Sequence, residues 1–311
     1  MMDYNKLQTR VASGKFTFPV VAFVCLLLWI FTSGGWQEGV SMLACALVAY
    51  LLTELNTTFT LIRTRTTLHV SSYIFLLTLC LFLHPLHTDT FVPLLFLLAI
   101  FQLFGSYEAP QAPVHIFHCF LFIGLGSLLF PKLVCFVPLF LVGMGSFRSL
   151  SPRSFFAGII GLSTPYWFLF GYALYTDRME AFCRPLQEMI AFAPIRYGIL
   201  DAEQLVFGGI IVLFSAVSSI CYLHTSYLDK VRTRLFLLFL VSVEVWNCLL
   251  GVLQPQHFNV LMQIQILIGS IFMAHLFALS RTRFAGIFFM VTFVVLIVWT
   301  VYNVWMQLFN F

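Results

Sequence analysis

The sequence predicts an all-α protein, a polytopic transmembrane helix bundle of about 11 spans. Three observations predict it: an apolar excess, long stretches free of charge, and a one-sided distribution of lysine and arginine. Apolar residues make up 61% of the 311 positions and charged residues 9%, a balance outside the range of water-soluble domains. A helix needs about 20 mostly apolar residues to cross a bilayer. Such windows lie between successive charges at 16–37, 66–88, 90–107, 109–131, 154–176, 204–228 and 284–311. The stretch 235–280 contains only Glu244, and Gln254-Pro255-Gln256 divides it into two spans. Windows 39–53 and 133–147 are shorter, and counting both gives eleven.

Parity fixes the orientation, since each added span moves every later loop to the opposite face. With the N-terminus inside, as the positive-inside rule prefers for Lys6, Arg10 and Lys15, the inner loops hold Arg63, Arg65, Arg148, Arg153, Lys230, Arg232, Arg234, Arg281 and Arg283. Only Lys132, Arg178, Arg184 and Arg196 fall outside. The outer face also holds Glu38, Asp89, Asp177, Glu180, Glu188, Asp201 and Glu203, so its net charge is −3. Phe311 is expected on the outer side.

The first apolar stretch follows a basic arm but is too long for a typical signal-peptide core. The Thr32-Ser33-Gly34-Gly35 after it is not an Ala-x-Ala type cleavage site, so an uncleaved span is expected. All cysteines but Cys183 fall within predicted spans, where they act as small apolar residues and imply no disulfide framework. Residues 1–311 read as one integral membrane domain with no soluble insertion or low-complexity tract. Arg-Thr-Arg occurs three times, at 63–65, 232–234 and 281–283, each time at a predicted inner boundary. Arginines there snorkel to anionic headgroups and anchor the topology. A specific phospholipid or polyprenyl-phosphate site is the alternative.

The longest segment outside the predicted spans is 177–203. Within it Met179, Phe182, Leu186, Met189, Ile190 and Ala193 recur at helical spacing, with Glu180, Arg184, Gln187 and Glu188 opposite. This predicts an amphipathic helix along the outer interface, with Pro185 in its first turns or kinking it. Arg178, Arg184 and Arg196, with Glu188 beside them, form the candidate substrate-binding set for a phosphate or carboxylate. A plain connecting helix lying on lipid is the alternative.

Inside the membrane, Glu244 sits nine residues from each end of its span, where a charge costs about 2.5–3.5 kcal/mol on insertion scales. Equal rise from the far side puts Gln265 at nearly the same depth, with Gln263 shallower and His275 deeper. Glu244 and Gln265 are therefore the predicted intramembrane polar pair, serving as a proton or substrate pathway or as packing glue. Pro165, within Gly161-Leu-Ser-Thr-Pro165-Tyr166, predicts a helix kink near the middle of the seventh span. Ser and Thr beside it can also heal a kink that serves packing alone.

His84, His87 and Asp89 gather on a predicted outer loop with His257 on the same side, and His115 and His118 lie a helical turn apart. Neither group matches a zinc signature, so no metal and no cofactor are expected. No phosphate loop, dinucleotide fingerprint or nucleophile elbow is present, and no basic surface is interleaved with aromatics outside the bilayer. ATP-driven transport by this chain alone and nucleic-acid binding are not expected; the expected partners are the lipid bilayer and either a lipid-linked precursor or subunits of an envelope complex.

Across residues 50–170, Asn56, Leu61-Ile62-Arg63-Thr64-Arg65-Thr66, Phe122-Ile-Gly124-Leu-Gly126-Ser127-Leu128-Leu-Phe-Pro131 and Gly161-Leu-Ser-Thr-Pro165-Tyr166 carry a resemblance. The chain here resembles an uncharacterised family of polytopic inner-membrane proteins from Bacteroidota. The resemblance implies a bacterial inner-membrane location and an all-helical fold, and it supplies no activity or catalytic residue.

Three function classes remain open. The first expectation is a non-catalytic subunit or scaffold of an envelope complex. The second is a polymerase, ligase or glycosyltransferase acting on a lipid-linked glycan precursor at the outer leaflet, with the three outer arginines on the phosphate and Glu180, Glu188 or Glu38 as base. The third is a proton-coupled secondary transporter with Glu244 and Gln265 as the coupling site and Pro165 as the hinge.

Overall fold

A computed structural model describes residues 4–32, 35–109, 111–191, 194–280 and 282–309. Its regular structure among these residues is helical throughout. In chain order come α1 (Tyr4–Ser13), α2 (Thr17–Thr32), α3 (Trp36–Phe59) and α4 (Leu68–Leu79). Then follow α5 (Val92–Gly105), α6 (Ala112–Leu129), α7 (Val137–Ser146), α8 (Pro152–Tyr175) and α9 (Met179–Ile190). The order continues with α10 (Ala202–Thr225), α11 (Val231–Leu253), α12 (Phe258–Leu279) and α13 (Arg283–Phe309). Ser33, Gly34, Ala193, Arg281 and Phe311, used in the sequence reading, lie outside the described residues.

Among the described residues, eight helices are long and apolar enough to cross a membrane, and Thr17–Thr32, Leu68–Leu79 and Pro131–Ser146 are shorter apolar segments. The window 39–53, short in sequence, belongs to a helix of 24 residues. Glu54 ended the window by its charge, yet the helix carries it on an exposed face and continues to Phe59. The window 66–88 shortens in the opposite way. α4 stops at Leu79, and a 3-10 turn at Leu81–Leu83 precedes His84-Pro85.

Prolines and serines set several starts. Pro93, Pro113, Pro138 and Pro152 each stand in the first two positions of a helix, where the missing N–H is not needed. Before α8, Ser151 and Ser154 exchange bonds, the Ser154 N–H donating to Ser151 Oγ at 3.2 Å and the Ser151 N–H to Ser154 Oγ at 2.8 Å. Helix ends use the left-handed region even without glycine, with Thr60 at φ 50° and Arg148 at φ 55°.

The described chain forms two compact units. The first takes Met1–Leu86, Gly198–Arg234 and Leu261–Phe311. Here α2 and α3 pack on α4, and α1 packs on α13. α12 is buried without interruption from Val260 to Phe277, and its polar side chains Gln263, Gln265, Ser270 and His275 lie within that buried stretch. Polar side chains fasten its neighbours: Gln8 Nε2 donates to the Phe277 carbonyl at 2.8 Å and to that of Ser280 at 2.9 Å, filling the orphan acceptors at the end of α12. Asn303 Nδ2 does the same for the Leu79 carbonyl of α4 at 2.8 Å.

The second unit takes His87–Tyr197 and Leu235–Val260. α6 packs along α8 and α5 packs on α6. At Gly161 any Cβ would collide with the Phe117 carbonyl, so the close approach of α6 and α8 requires glycine. A phenylalanine cluster fills the rest, with Phe104 stacked on Phe236 at 4.3 Å and Phe140 edge-on to Phe239 at 5.4 Å. α8 is helical on both sides of Pro165, which is buried. Thr164 Oγ1 and Ser163 Oγ both donate to the Ile160 carbonyl, at 2.6 and 3.1 Å.

Candidate functional site

Within the first unit, the ends of α10 and α12 and the turns after α3 and α12 border a partly open cavity of about 210 Å³, mostly apolar in surface with polar groups set into it. Its walls include Arg63, Tyr222, Thr225, Asp229, His275 and Thr282, with Leu276 and Leu279 as an apolar side. Ser215 of α10 lies against Gly269 of α12, where an added Cβ would stand 2.8 Å from Ser215 Cβ. Gln265 Nε2 donates to Ser215 Oγ at 2.7 Å on the same contact. Moving up both helices together, two turns later Tyr222 meets His275 edge-on at 5.0 Å.

His275 Nε2 is 3.1 Å from Asp229 Oδ2, and both side chains are 5% exposed. A carboxylate in that position accepts a hydrogen bond from the ring N–H and fixes the imidazole. The Tyr222 hydroxyl is buried and makes no hydrogen bond among the described residues. Asp229 and Arg234 both lie within electrostatic reach of it.

Arg63 enters from the turn after α3. Asn56 Oδ1 accepts from the Ile62 N–H at 2.9 Å, and Thr60 holds a left-handed conformation that a β-branched residue rarely adopts. Arg63 Nη1 then donates to the Leu228 carbonyl at 3.3 Å, bringing an exposed guanidinium to the rim. Thr233 Oγ1 reaches the Thr60 carbonyl at 3.5 Å, and the Arg232 guanidinium lies 5.6 Å from the Phe59 ring centre. At least one residue of each Arg-Thr-Arg repeat is therefore at this place: Arg63 and Thr282 line the cavity, and Arg232 and Thr233 meet the end of α3 and its turn.

The residues singled out in the sequence are placed as follows. α9 forms where the amphipathic helix was expected and carries Pro185 inside it; Phe182, Leu186 and Met189 are half-buried, whereas Met179 and Ile190 of the expected apolar face are exposed, as are Glu180, Arg184, Gln187 and Glu188. Phe182 packs edge-on to Phe170 at 5.2 Å, bordering an apolar cleft of about 300 Å³ with Tyr166 and Trp167. Arg178 and Arg184 line one open depression of about 620 Å³ together with Asp177 and Glu180; Arg196 is exposed and is not among its lining residues. Arg184 Nε bonds Glu188 Oε1 at 2.8 Å, and the carboxylate holds the guanidinium further toward its charged form. Lys132, expected among the outer cations, is buried, and its Nζ donates to the Met189 carbonyl at 3.2 Å and the Ala191 carbonyl at 2.5 Å.

Glu244 is buried in the second unit, and Gln265 is buried in the first. His84 stacks on Trp29 at 3.9 Å with Nε2 at 3.1 Å from the Thr78 carbonyl, and His115 Nδ1 pairs with Gln102 Oε1 at 2.9 Å. Among the described residues no three of His, Cys, Asp and Glu converge as metal ligands do.

No protein-family model, curated protein or solved structure matches this chain. The site is thus defined by its own geometry. Sequence reasoning missed Asp229 and Tyr222 and noted His275 only for its depth. The one signal that pointed there was the threefold Arg-Thr-Arg.

Proposed function

We propose that the chain is a multi-pass protein of a bacterial inner membrane, with eleven crossings and its N-terminus inside, acting as a non-catalytic ligand-binding subunit or scaffold of an envelope complex. One observation carries this reading: polar side chains are engaged in joining segments to one another. Lys132 holds the end of α9, Gln8 the end of α12, Asn303 the end of α4, and Trp246 Nε1 the Cys135 carbonyl at 2.9 Å. In an apolar solvent such bonds fix helix positions because unpaired polar groups are costly there.

The lipid-facing reading draws on large apolar side chains turned outward, such as Phe23 of α2 at 63% exposure and Phe168 of α8 at 77%. Cys183 tests the orientation, because it is an exposed cysteine in α9. A membrane-impermeant maleimide on intact cells is expected to label Cys183, and to label a Thr64→Cys variant of the Cys183→Ser background only after permeabilisation. The opposite pattern overturns the orientation. For the subunit role, purification in mild detergent is expected to recover a stoichiometric partner; a monodisperse lone chain overturns it.

A second reading, a membrane enzyme on a lipid-linked glycan precursor, is favoured by the shared depression of Arg178 and Arg184. It predicts that the Arg178→Ala, Arg184→Ala double variant abolishes envelope-glycan assembly at normal protein level. Unchanged glycans exclude it.

A further inference from the structure

We infer that the cavity between α10 and α12 is a binding site for a phosphate group, of the kind a phosphate-monoester lipid headgroup presents. The inference names the ligand of the binding subunit proposed above and rests on that reading only for its lipid source. Four observations carry it.

The first is the unpartnered Tyr222 hydroxyl, buried and on the wall of the cavity. A buried hydroxyl without a partner costs about 1–3 kcal/mol, and because the oxygen itself has almost no accessible surface, a small swing of the ring toward the cavity brings it to a ligand oxygen and recovers what the fold leaves unmet. The second is Arg63, whose guanidinium is fixed at the rim by the Leu228 carbonyl while its remaining N–H groups stay available to a tetrahedral anion. The third is Thr282 in the turn before α13, which lines the same space and whose Oγ1 accepts from the Ala285 N–H and shares a bond with Ser280 Oγ, so that its own proton is free for a ligand oxygen when Ser280 is the donor. The Thr225 hydroxyl, also on the wall, donates to the Cys221 and Tyr222 carbonyls. The fourth is charge. Against the one carboxylate among the lining residues, Asp229, itself paired with His275, stand Arg63 on the rim and Arg234 within electrostatic reach of Tyr222.

Size and shape agree with a headgroup rather than a whole metabolite. A cavity of about 210 Å³ is below the range of about 300–1,000 Å³ typical of sites for drug-sized ligands. Its apolar side, Leu276 and Leu279, offers a path for an acyl or prenyl chain. A free phosphate would use the same polar groups and leave that side bare.

The test uses the full chain in detergent with three probes: dioleoylphosphatidic acid, dioleoylphosphatidylcholine and inorganic phosphate. Dioleoylphosphatidic acid is expected to bind saturably, one per chain, and phosphatidylcholine not to saturate. Arg63→Ala and Tyr222→Phe should each weaken binding by about tenfold or more, as loss of a hydrogen bond to a charged group does. Tyr222→Phe keeps the ring against His275 and removes only the oxygen; Arg63→Gln replaces Arg63→Ala if the latter does not fold. Arg148→Ala, an exposed arginine of the second unit, should bind as the unaltered chain does.

Inorganic phosphate that binds as tightly as the lipid assigns the site to a free phosphate, and weaker competition by it assigns the site to the headgroup. Binding by none of the probes, or binding unchanged by Tyr222→Phe or by the Arg63 variant, overturns the inference. Because the measurement needs no bilayer, its failure is separable from failure of the Cys183 labelling.

Discussion

Asp229 and His275, 46 positions apart, form a buried pair with Oδ2 and Nε2 3.1 Å apart. α10 and α12 run in the same direction, and the turn after α10 folds back to bring the carboxylate beside the imidazole. Removing the carboxylate strands a buried donor, at about 1–3 kcal/mol. Asp229→Ala is therefore expected to lower the thermal unfolding midpoint in detergent. Asp229→Ala with His275→Leu should cost less than the two single variants summed, because the second substitution removes the donor the first strands. Strict additivity would refute the coupling.

Lys132 supplies a second test. Its amine donates to the carbonyls of Met189 and Ala191, capping the end of α9 as a cation near a helix C-terminus does. Lys132→Met keeps the length and removes the donor. Cleavage by trypsin after Arg196 is expected to accelerate while the core of α6 and α8 stays resistant. Unchanged cleavage would show that packing such as that of Phe182 on Phe170 holds α9 without the Lys132 bonds.

The helices were legible because burial in lipid or in protein demands apolar side chains either way, so charge-free windows and helices coincide. Their ends were less legible. Glu54 reads as a boundary by charge alone, yet a helix can pass through an exposed glutamate, and α3 does so. The cavity was mostly illegible for a different reason. Tyr222, Asp229 and His275 come from separate segments, and their approach depends on the contact of Ser215 with Gly269, which no periodicity encodes. Arg63 and Thr282 were visible only as members of a repeat. Glu244 drew notice because one charge in an apolar run is conspicuous, whereas a tyrosine near a helix end is ordinary in any membrane protein.

Arg184 separates stability from function. Its bond to Glu188 is an exposed i,i+4 pair, which solvent screens. Arg184→Ala is expected to leave the unfolding midpoint unchanged within error. Any loss of envelope-glycan assembly in that variant then reports on the Arg178 and Arg184 depression rather than on folding, whereas a fall in midpoint would mean that α9 depends on the pair.

Gly161 decides how closely α6 and α8 can lie. The helix face of α8 meets the backbone of α6 at Phe117, and a Cβ there has no room because a carbonyl, unlike a flexible side chain, cannot turn aside. The neighbouring contact depends on the same spacing, since Ser127 Oγ and the Tyr166 hydroxyl share a hydrogen bond of 2.5 Å across the two helices. Gly161→Leu is expected to push the helices apart, break that bond and cost at least about 1–3 kcal/mol, the usual range for overpacking. Gly171→Leu, on the same helix with open space around its Cβ position, is the control and should change the unfolding midpoint little. Equal effects of the two substitutions would mean that leucine disturbs α8 wherever it is placed, and that close approach at Gly161 does not hold the second unit together.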